Sequence, residues 1–146
     1  FAAKLGRIGP LLGAKNLGAM LTIVPPGKRA FPFHAHLNVD EMMFILEGTG
    51  TYRFGEDEYK VKPGDMLAAP QGGAEVAHQI INTGGSDLRY LAFSTNAECG
   101  VVVYPDSNKF LTVTGIPEGG SPMDAKFRHL GHIGAGEAGY FDGEEE

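Results

Sequence analysis

An all-β barrel or sandwich is the fold this sequence predicts, and three observations carry the prediction. Twenty-two glycines and nine prolines punctuate the 146 residues at short intervals. Between them lie runs of four to eight residues rich in Val, Ile, Phe, Tyr and Leu, repeating about every ten residues as short strands joined by turns do. No window of eleven or more residues carries a helical stripe; GRIGPLLGAKNLG is broken by four glycines and a proline.

In chain order the predicted strands are AMLTIV (19–24), AFPFHAH (30–36), EMMFILE (41–47), GTYRF (50–54), EYKV (58–61), DMLAA (65–69), AHQIIN (77–82), LRYLAFS (88–94) and GVVVY (100–104). The clearest hairpin is TYRFGEDEYKV, where Gly55 to Asp57 turn the chain between Phe54 and Tyr59. A second turn is expected in NTGGSD, residues 82–87. In EMMFILE the period of two puts Glu41, Met43 and Ile45 on one face and Met42, Phe44 and Leu46 on the other. Both faces are apolar, which predicts burial on both sides, as in a sandwiched or oligomer-forming barrel. After Tyr104 the texture becomes glycine-rich or acidic, with little periodicity. Residues 1–104 are therefore read as one barrel that includes the N-terminal strand, and residues 105–146 as an irregular extension packing on the barrel or on a partner.

Composition narrows the function classes. At 15.5 kDa, with 42% apolar and 21% charged residues, the chain is the size of one globular domain. The net charge is −6 and Lys and Arg form no dense run, which argues against nucleic acid as partner. No apolar stretch approaches the roughly 20 residues of a membrane-spanning helix, which argues against a membrane. Cys99 is the one cysteine, so no intrachain disulfide can form and a reducing, cytoplasmic location is the default. The chain begins at Phe1 rather than at methionine, which leaves room for a removed leader.

The chemistry concentrates in HAHLNVDE. His34 and His36 are two apart, so on a strand they project from the same face about 7 Å apart. Glu41 follows at the start of the next strand, with LNVD as a connection that can fold it back, and His78 opens a later strand. A lone histidine on an apolar strand is ordinarily a hydrogen-bonded core residue. A same-face pair with a nearby carboxylate shifts the balance toward a metal. Three imidazoles and a carboxylate suit Mn(II), Fe(II), Ni(II) or Zn(II), and an octahedral ion would keep two positions open. Asp40, beside Glu41, is read as a solvated loop residue. His129 and His132 in RHLGHIG lack a periodic scaffold or an acidic neighbour and are read as surface loop residues.

These residues resemble the first conserved motif of the cupin superfamily: Gly27, six residues, His34, Ala35, His36, four residues, Glu41, six residues, Gly48. A second motif follows after fifteen residues as Gly64, five residues, Pro70, Gln71, Gly72, then His78, three residues and Asn82. The resemblance implies a jelly-roll β-barrel in which His34, His36, Glu41 and His78 are metal ligands and Gly48, Gly64, Pro70 and Gly72 shape turns. Two spacings depart from the pattern: Gly27 to His34 is one residue longer, and Gly72 to His78 holds five residues rather than two, so the chain there must bulge. VVVYPDSNKF and the closing GYFDGEE are similar to elements of a group of bacterial single-domain cupins, and suggest a tail that covers a barrel mouth, its own or a partner's.

A divalent ion with two open positions can chelate a carboxylate, hydroxy-carbonyl or enediol and stabilise an enolate-like state. Cupins use such sites for isomerisation, dioxygenation and decarboxylation, so the resemblance implies a metal-dependent enzyme without choosing its reaction. The expectation leans to an isomerase of a sugar or sugar phosphate, with an Fe- or Mn-dependent dioxygenase or decarboxylase of a small carboxylic acid, or a non-catalytic binding or sensor protein, as alternatives. Candidate catalytic residues are Tyr52, Arg53, Arg89 and Tyr90; since each Arg adjoins a Tyr, one member of each pair can face the barrel. A base near the ion would favour catalysis, and a pocket lined by Met43, Ile45 and Ile80 would favour binding. The N-terminal strand and the two-sided apolar strands predict a homodimer.

Overall fold

The computed structural model describes residues 1–144. It holds twelve strands: β1 (Lys4–Arg7), β2 (Leu17–Val24), β3 (Ala35–His36), β4 (Glu41–Glu47), β5 (Gly50–Phe54), β6 (Asp57–Val61), β7 (Met66–Ala69), β8 (His78–Ile81), β9 (Leu88–Thr95), β10 (Cys99–Tyr104), β11 (Lys109–Thr114) and β12 (Phe127–His132). They form three sheets with strand orders β1-β2-β9-β4-β7, β6-β5-β8 and β12-β11-β10-β3. Every pairing within them is antiparallel. The remaining regular structure is four single 3₁₀ turns, and no helix among the described residues is long and apolar enough to cross a membrane.

The jelly-roll barrel that the cupin resemblance implies is present. Its core is shared by inward residues of the five-stranded sheet, among them Val24, Met43, Ile45, Leu88 and Tyr90, and of the three-stranded sheet, Tyr52, Val61 and Ile80. Alternation decides which side chains enter. In β2 the buried residues are Thr22 and Val24, and in β4 they are Met43 and Ile45. Turn chemistry closes the β5–β6 hairpin with two residues, since Phe54 pairs with Asp57 and Gly55 takes φ 56° at the first central position.

AFPFHAH is a strand only at Ala35–His36; upstream, isolated bridges join Arg29 to Ile81 and His34 to His78. Pro32 lies between those bridges and has no N–H to continue a ladder. Among the described residues no layer of the chain covers the outer face of β4, where Met42 is 45% exposed and Leu46 38%, so burial on both sides is not achieved within one chain. The N-terminal segment contributes an edge strand, β1, outside AMLTIV, whose exposed positions and central glycine give it no burial pattern to read. Residues after Tyr104, expected to be irregular, carry β11 and β12, which extend the sheet begun by β10 and β3. In the closing GYFDGEE, expected to cover a barrel mouth, its own or a partner's, Tyr140 and Phe141 are 90% and 77% exposed; Glu145 and Glu146 lie outside the described residues.

Candidate metal centre

Three segments deliver the polar side chains to one end of the barrel core. His34 and His78 face each other across an isolated bridge, each backbone N–H donating to the other's carbonyl at 3.1 and 2.8 Å. His36 is held by β3, which pairs with β10 so that His36 lies opposite Val102. Glu41 opens β4 between Ala69 of β7 and Ser94 of β9. The five-residue spacing ahead of His78 is taken up by a 3₁₀ turn, Ala74–Val76, while Gly72 N–H donates to the His36 carbonyl and ties that loop to the cluster.

The three imidazoles converge on one oxygen. Glu41 Oε2 lies 3.0 Å from His78 Nε2, 3.4 Å from His36 Nε2 and 3.9 Å from His34 Nε2. One ligand atom each from His34, His36 and Glu41 fit within 4.8 Å of one another, and among the described residues no other group of three or more His, Cys, Asp or Glu does so. His78 joins through its direct contact with Glu41. The rings are packed together, with His34 5.2 Å from His36 and 4.5 Å from His78 between centroids.

The surroundings set the protonation states. His34 is pushed down to about 4, first by burial and then by the neighbouring His78, so at neutral pH it is an uncharged imidazole. Its Nδ1 lies 2.8 Å from the Pro32 carbonyl, which places the proton there and leaves the Nε2 lone pair facing the cluster. Burial would raise Glu41, but hydrogen bonds from His36 and His78 outweigh it and hold the carboxyl well below its usual range. His78 Nδ1 is buried without a hydrogen-bond partner, so that ring's polar contact is made on the cluster side alone. An ionised carboxylate beside three imidazoles, of which His34 is neutral and oriented by a backbone carbonyl, is a donor set that fits a divalent transition metal.

The other candidates separate cleanly by face. Tyr52 and Tyr90 are buried in the core and their phenols are pushed above their usual value, in each case first by burial. The Tyr52 ring lies 6.3 Å from His78, but its hydroxyl donates to the Ala68 carbonyl at 2.9 Å. Arg53 points away from that core, 4.0 Å over the Phe33 ring and paired with Asp106 at 2.9 Å. Arg89 is paired with Glu47 at 3.3 Å, and its Glu47 partner is exposed. Alternation therefore brings the tyrosine of each pair inward and neither arginine to the cluster. Asp40 accepts from Gln71 N–H at 2.9 Å outside the cluster. His129 and His132, expected on a loop, stand on β12, where a spacing of three puts them on opposite faces.

One residue near the cluster was read only as a strand end. The Tyr104 ring stacks toward His34 at 6.3 Å and 28°, opposite in sequence to Phe31, whose ring is also 6.3 Å from His34. Its proximity follows from the pairing of β10 with β3, which nothing local in YPDS announces.

Comparisons with known proteins agree with this architecture. A family model described as cupin domain matches residues 20–94. The oxalate-binding protein of Thermotoga maritima is 33% identical over 69 residues, 47% of this chain and 54% of that protein. An uncharacterized protein of Methanocaldococcus jannaschii is 33% identical over 72 residues, 49% of this chain and 54% of that one. The chain thus spans about half the length of the curated relatives it matches. The crystal structure of a putative sugar phosphate isomerase from Acidithiobacillus ferrooxidans superposes with a TM-score of 0.77 at 24% identity, covering 93% of this chain and 80% of that one. At that identity the likeness is one of fold, and it extends through the C-terminal strands.

Proposed function

The chain belongs to the cupin family, and from that premise we propose that it is a metal-dependent cupin acting on a small anionic or polyhydroxylated molecule, as an isomerase of a sugar or sugar phosphate. The convergence of the His34, His36 and His78 ring nitrogens on Glu41 Oε2 carries this reading. These four residues would hold one divalent ion of the Mn, Fe, Ni or Zn type. Such an ion supplies Lewis acidity to a hydroxy-carbonyl group when bound.

The chain's own residues supply the rest. The Pro32 carbonyl keeps the His34 proton on Nδ1, and the barrel core excludes water below the cluster through Met43, Ile45 and Ile80. Tyr52 and Tyr90 remain protonated, so Glu41 is the charge the core must accommodate. Isomerisation needs a group to carry a proton between neighbouring carbons. Tyr52 is committed to Ala68, whereas the Tyr104 hydroxyl has no hydrogen-bond partner among the described residues and its ring centroid is 6.3 Å from that of His34. Tyr104 is the residue best placed for that role.

A second reading, metal-assisted binding without chemistry, draws on the apolar floor and on the lack, among the described residues, of a second carboxylate in the cluster. The relative named as oxalate-binding supports a small carboxylate as the ligand in that case, or as substrate of an Fe- or Mn-dependent dioxygenase or decarboxylase. The outer face of the five-stranded sheet supports a homodimer.

Elemental analysis of protein purified without added metal, alongside His34→Ala and His78→Ala, tests the centre. The wild type should retain close to one ion per chain and each variant should lose most of it; full retention in both variants would sink the site. Aldose–ketose interconversion by the loaded protein supports the isomerase. Oxygen uptake or carbon dioxide release without it assigns the oxidative or decarboxylating chemistry, and saturable binding without turnover assigns the binding protein.

A further inference from the structure

The sheet that carries His36 continues beyond the metal centre, and its register sets out a second row of polar side chains. Val102 of β10 lies opposite His36 of β3. Two residues on, Tyr104 stands on the same face, opposite Lys109 of β11, and Lys109 in turn lies opposite His132 of β12. At a strand spacing of about 4.8 Å and a rise of about 3.4 Å per residue, the Lys109 backbone is roughly 12 Å from that of His36. Lys109 Nζ is 5.7 Å from the Tyr104 ring centroid and that centroid is 6.3 Å from the His34 ring, so the ammonium stands within about 12 Å of the cluster.

The ammonium is directed by an aromatic ring. Lys109 Nζ lies 5.7 Å from the centroid of Tyr104, the same ring that stacks toward His34. The turn joining the two is fixed: Asn108 adopts φ 48°, and Asp106 in the intervening 3₁₀ turn is bound by Arg53, itself seated on Phe33. That ion pair has a second consequence. Asp106 is the carboxylate closest in sequence to Lys109, and Arg53 occupies it. Among the described residues Lys109 has no carboxylate within 4.0 Å. An uncommitted, half-buried cation therefore stands beside a site whose divalent ion would exceed the charge of Glu41. Two positive centres a short chain apart attract a molecule that is polar at one end and anionic at the other.

We propose that Lys109, seated on Tyr104, binds the anionic tail of a ligand whose opposite end meets the His34, His36, Glu41 and His78 cluster. The tail is a phosphate monoester or a carboxylate, and Arg53 is a positioning residue that keeps Asp106 from neutralising the lysine. The proposal rests on the metal-centre reading and deepens it, by naming which end of the substrate the chain distinguishes.

The test is calorimetric binding of fructose 6-phosphate, glucuronate, fructose and inorganic phosphate to the Mn(II)-loaded and metal-free wild type, Lys109→Gln and Lys109→Arg. One charged contact should favour fructose 6-phosphate or glucuronate over fructose by about tenfold in the loaded wild type. Lys109→Gln should abolish that preference and Lys109→Arg restore most of it, with Mn(II) affinity the same in all three. Preference for fructose 6-phosphate identifies a phosphate tail, and preference for glucuronate a carboxylate tail. Equal binding of the anionic ligands and fructose, or a preference that survives in Lys109→Gln, would overturn the proposal. If the wild type takes up no Mn(II), the metal-centre reading fails by itself; inorganic phosphate bound to metal-free protein and lost in Lys109→Gln would then still sustain the anion site, and its absence would end both.

Discussion

At the scale of single residues, the cluster keeps one neighbour charged and the other neutral. Glu41 is stabilised as an anion by two imidazoles, while His34, which burial deprives of water, stays neutral. This has a sign that can be measured on metal-free protein. His34 takes up its proton near pH 4 in the folded chain and near 6.5 in an unfolded one. Between those values the unfolded chain holds more protons, so stability rises with pH across the window and falls on acidification. Lowering the pH from 7 to 5 should remove about 2 kcal/mol through His34. Glu41 acts in the same direction at lower pH, because its folded value lies below the ordinary 4.5 and its contribution is lost as the carboxylate protonates. Urea unfolding at pH 7 and pH 5 reads the effect, and His34→Gln should lose most of the slope. Equal wild-type stability at the two values would show that the imidazole is charged in the folded protein after all.

At the scale of elements, the site's strands were legible because their histidines and glutamate sit at short, fixed separations, and the separations fix the face. The turn after β4 and the turn before β7 each hold a glycine in a conformation other residues resist, and the two can be told apart. Gly48 has φ 79° and a Cβ there would lie 2.4 Å from the Asp87 carbonyl oxygen, while Gly64 has φ 92° with nothing within 4 Å of that position. Gly64→Ala should therefore cost only the conformational penalty, about 1–2 kcal/mol, and Gly48→Ala roughly twice that or more, because backbone must also shift. Thermal unfolding of both variants checks the order, and a Gly64→Ala variant less stable than Gly48→Ala would contradict it. What was not legible has a separate physical cause in each case. β12 faces solvent at nearly every position, so FRHLGH shows no alternation to read. AFPFHAH is apolar enough for a strand, yet Pro32 breaks its ladder and leaves isolated bridges. Tyr104 reaches His34 only because β10 pairs with β3, and the sequence of a strand does not state its partner.

At the scale of the molecule, the apolar residues on both faces of β4 pose a question that one chain does not answer. Outward alternation across the five-stranded sheet aligns Ala19, Phe93, Met42 and Ala68 in one row, and Leu21, Leu91, Phe44 and Met66 in the next. Phe93 is 40% exposed, Met42 45% and Met66 55%, and the charged pair Arg89–Glu47 stands at the margin rather than among them. A contiguous apolar face with a polar rim is the composition of an interface core, and leaving it in water would cost about 25 cal/mol for each Å² of apolar surface exposed. In the proposed homodimer, a second copy of the same sheet related by a two-fold axis would cover both faces at once. The inner face of β4 carries Glu41 and packs on a different set of residues, so disrupting the outer face should leave the metal centre intact. Met42→Asp combined with Phe93→Lys should convert a dimer at micromolar concentration into a monomer by light scattering, with metal content within twofold of wild type. A wild type that scatters as a monomer under those conditions would overturn the dimer. A double variant that remains dimeric would place the interface elsewhere, with the exposed edge strand β1 the next surface to alter.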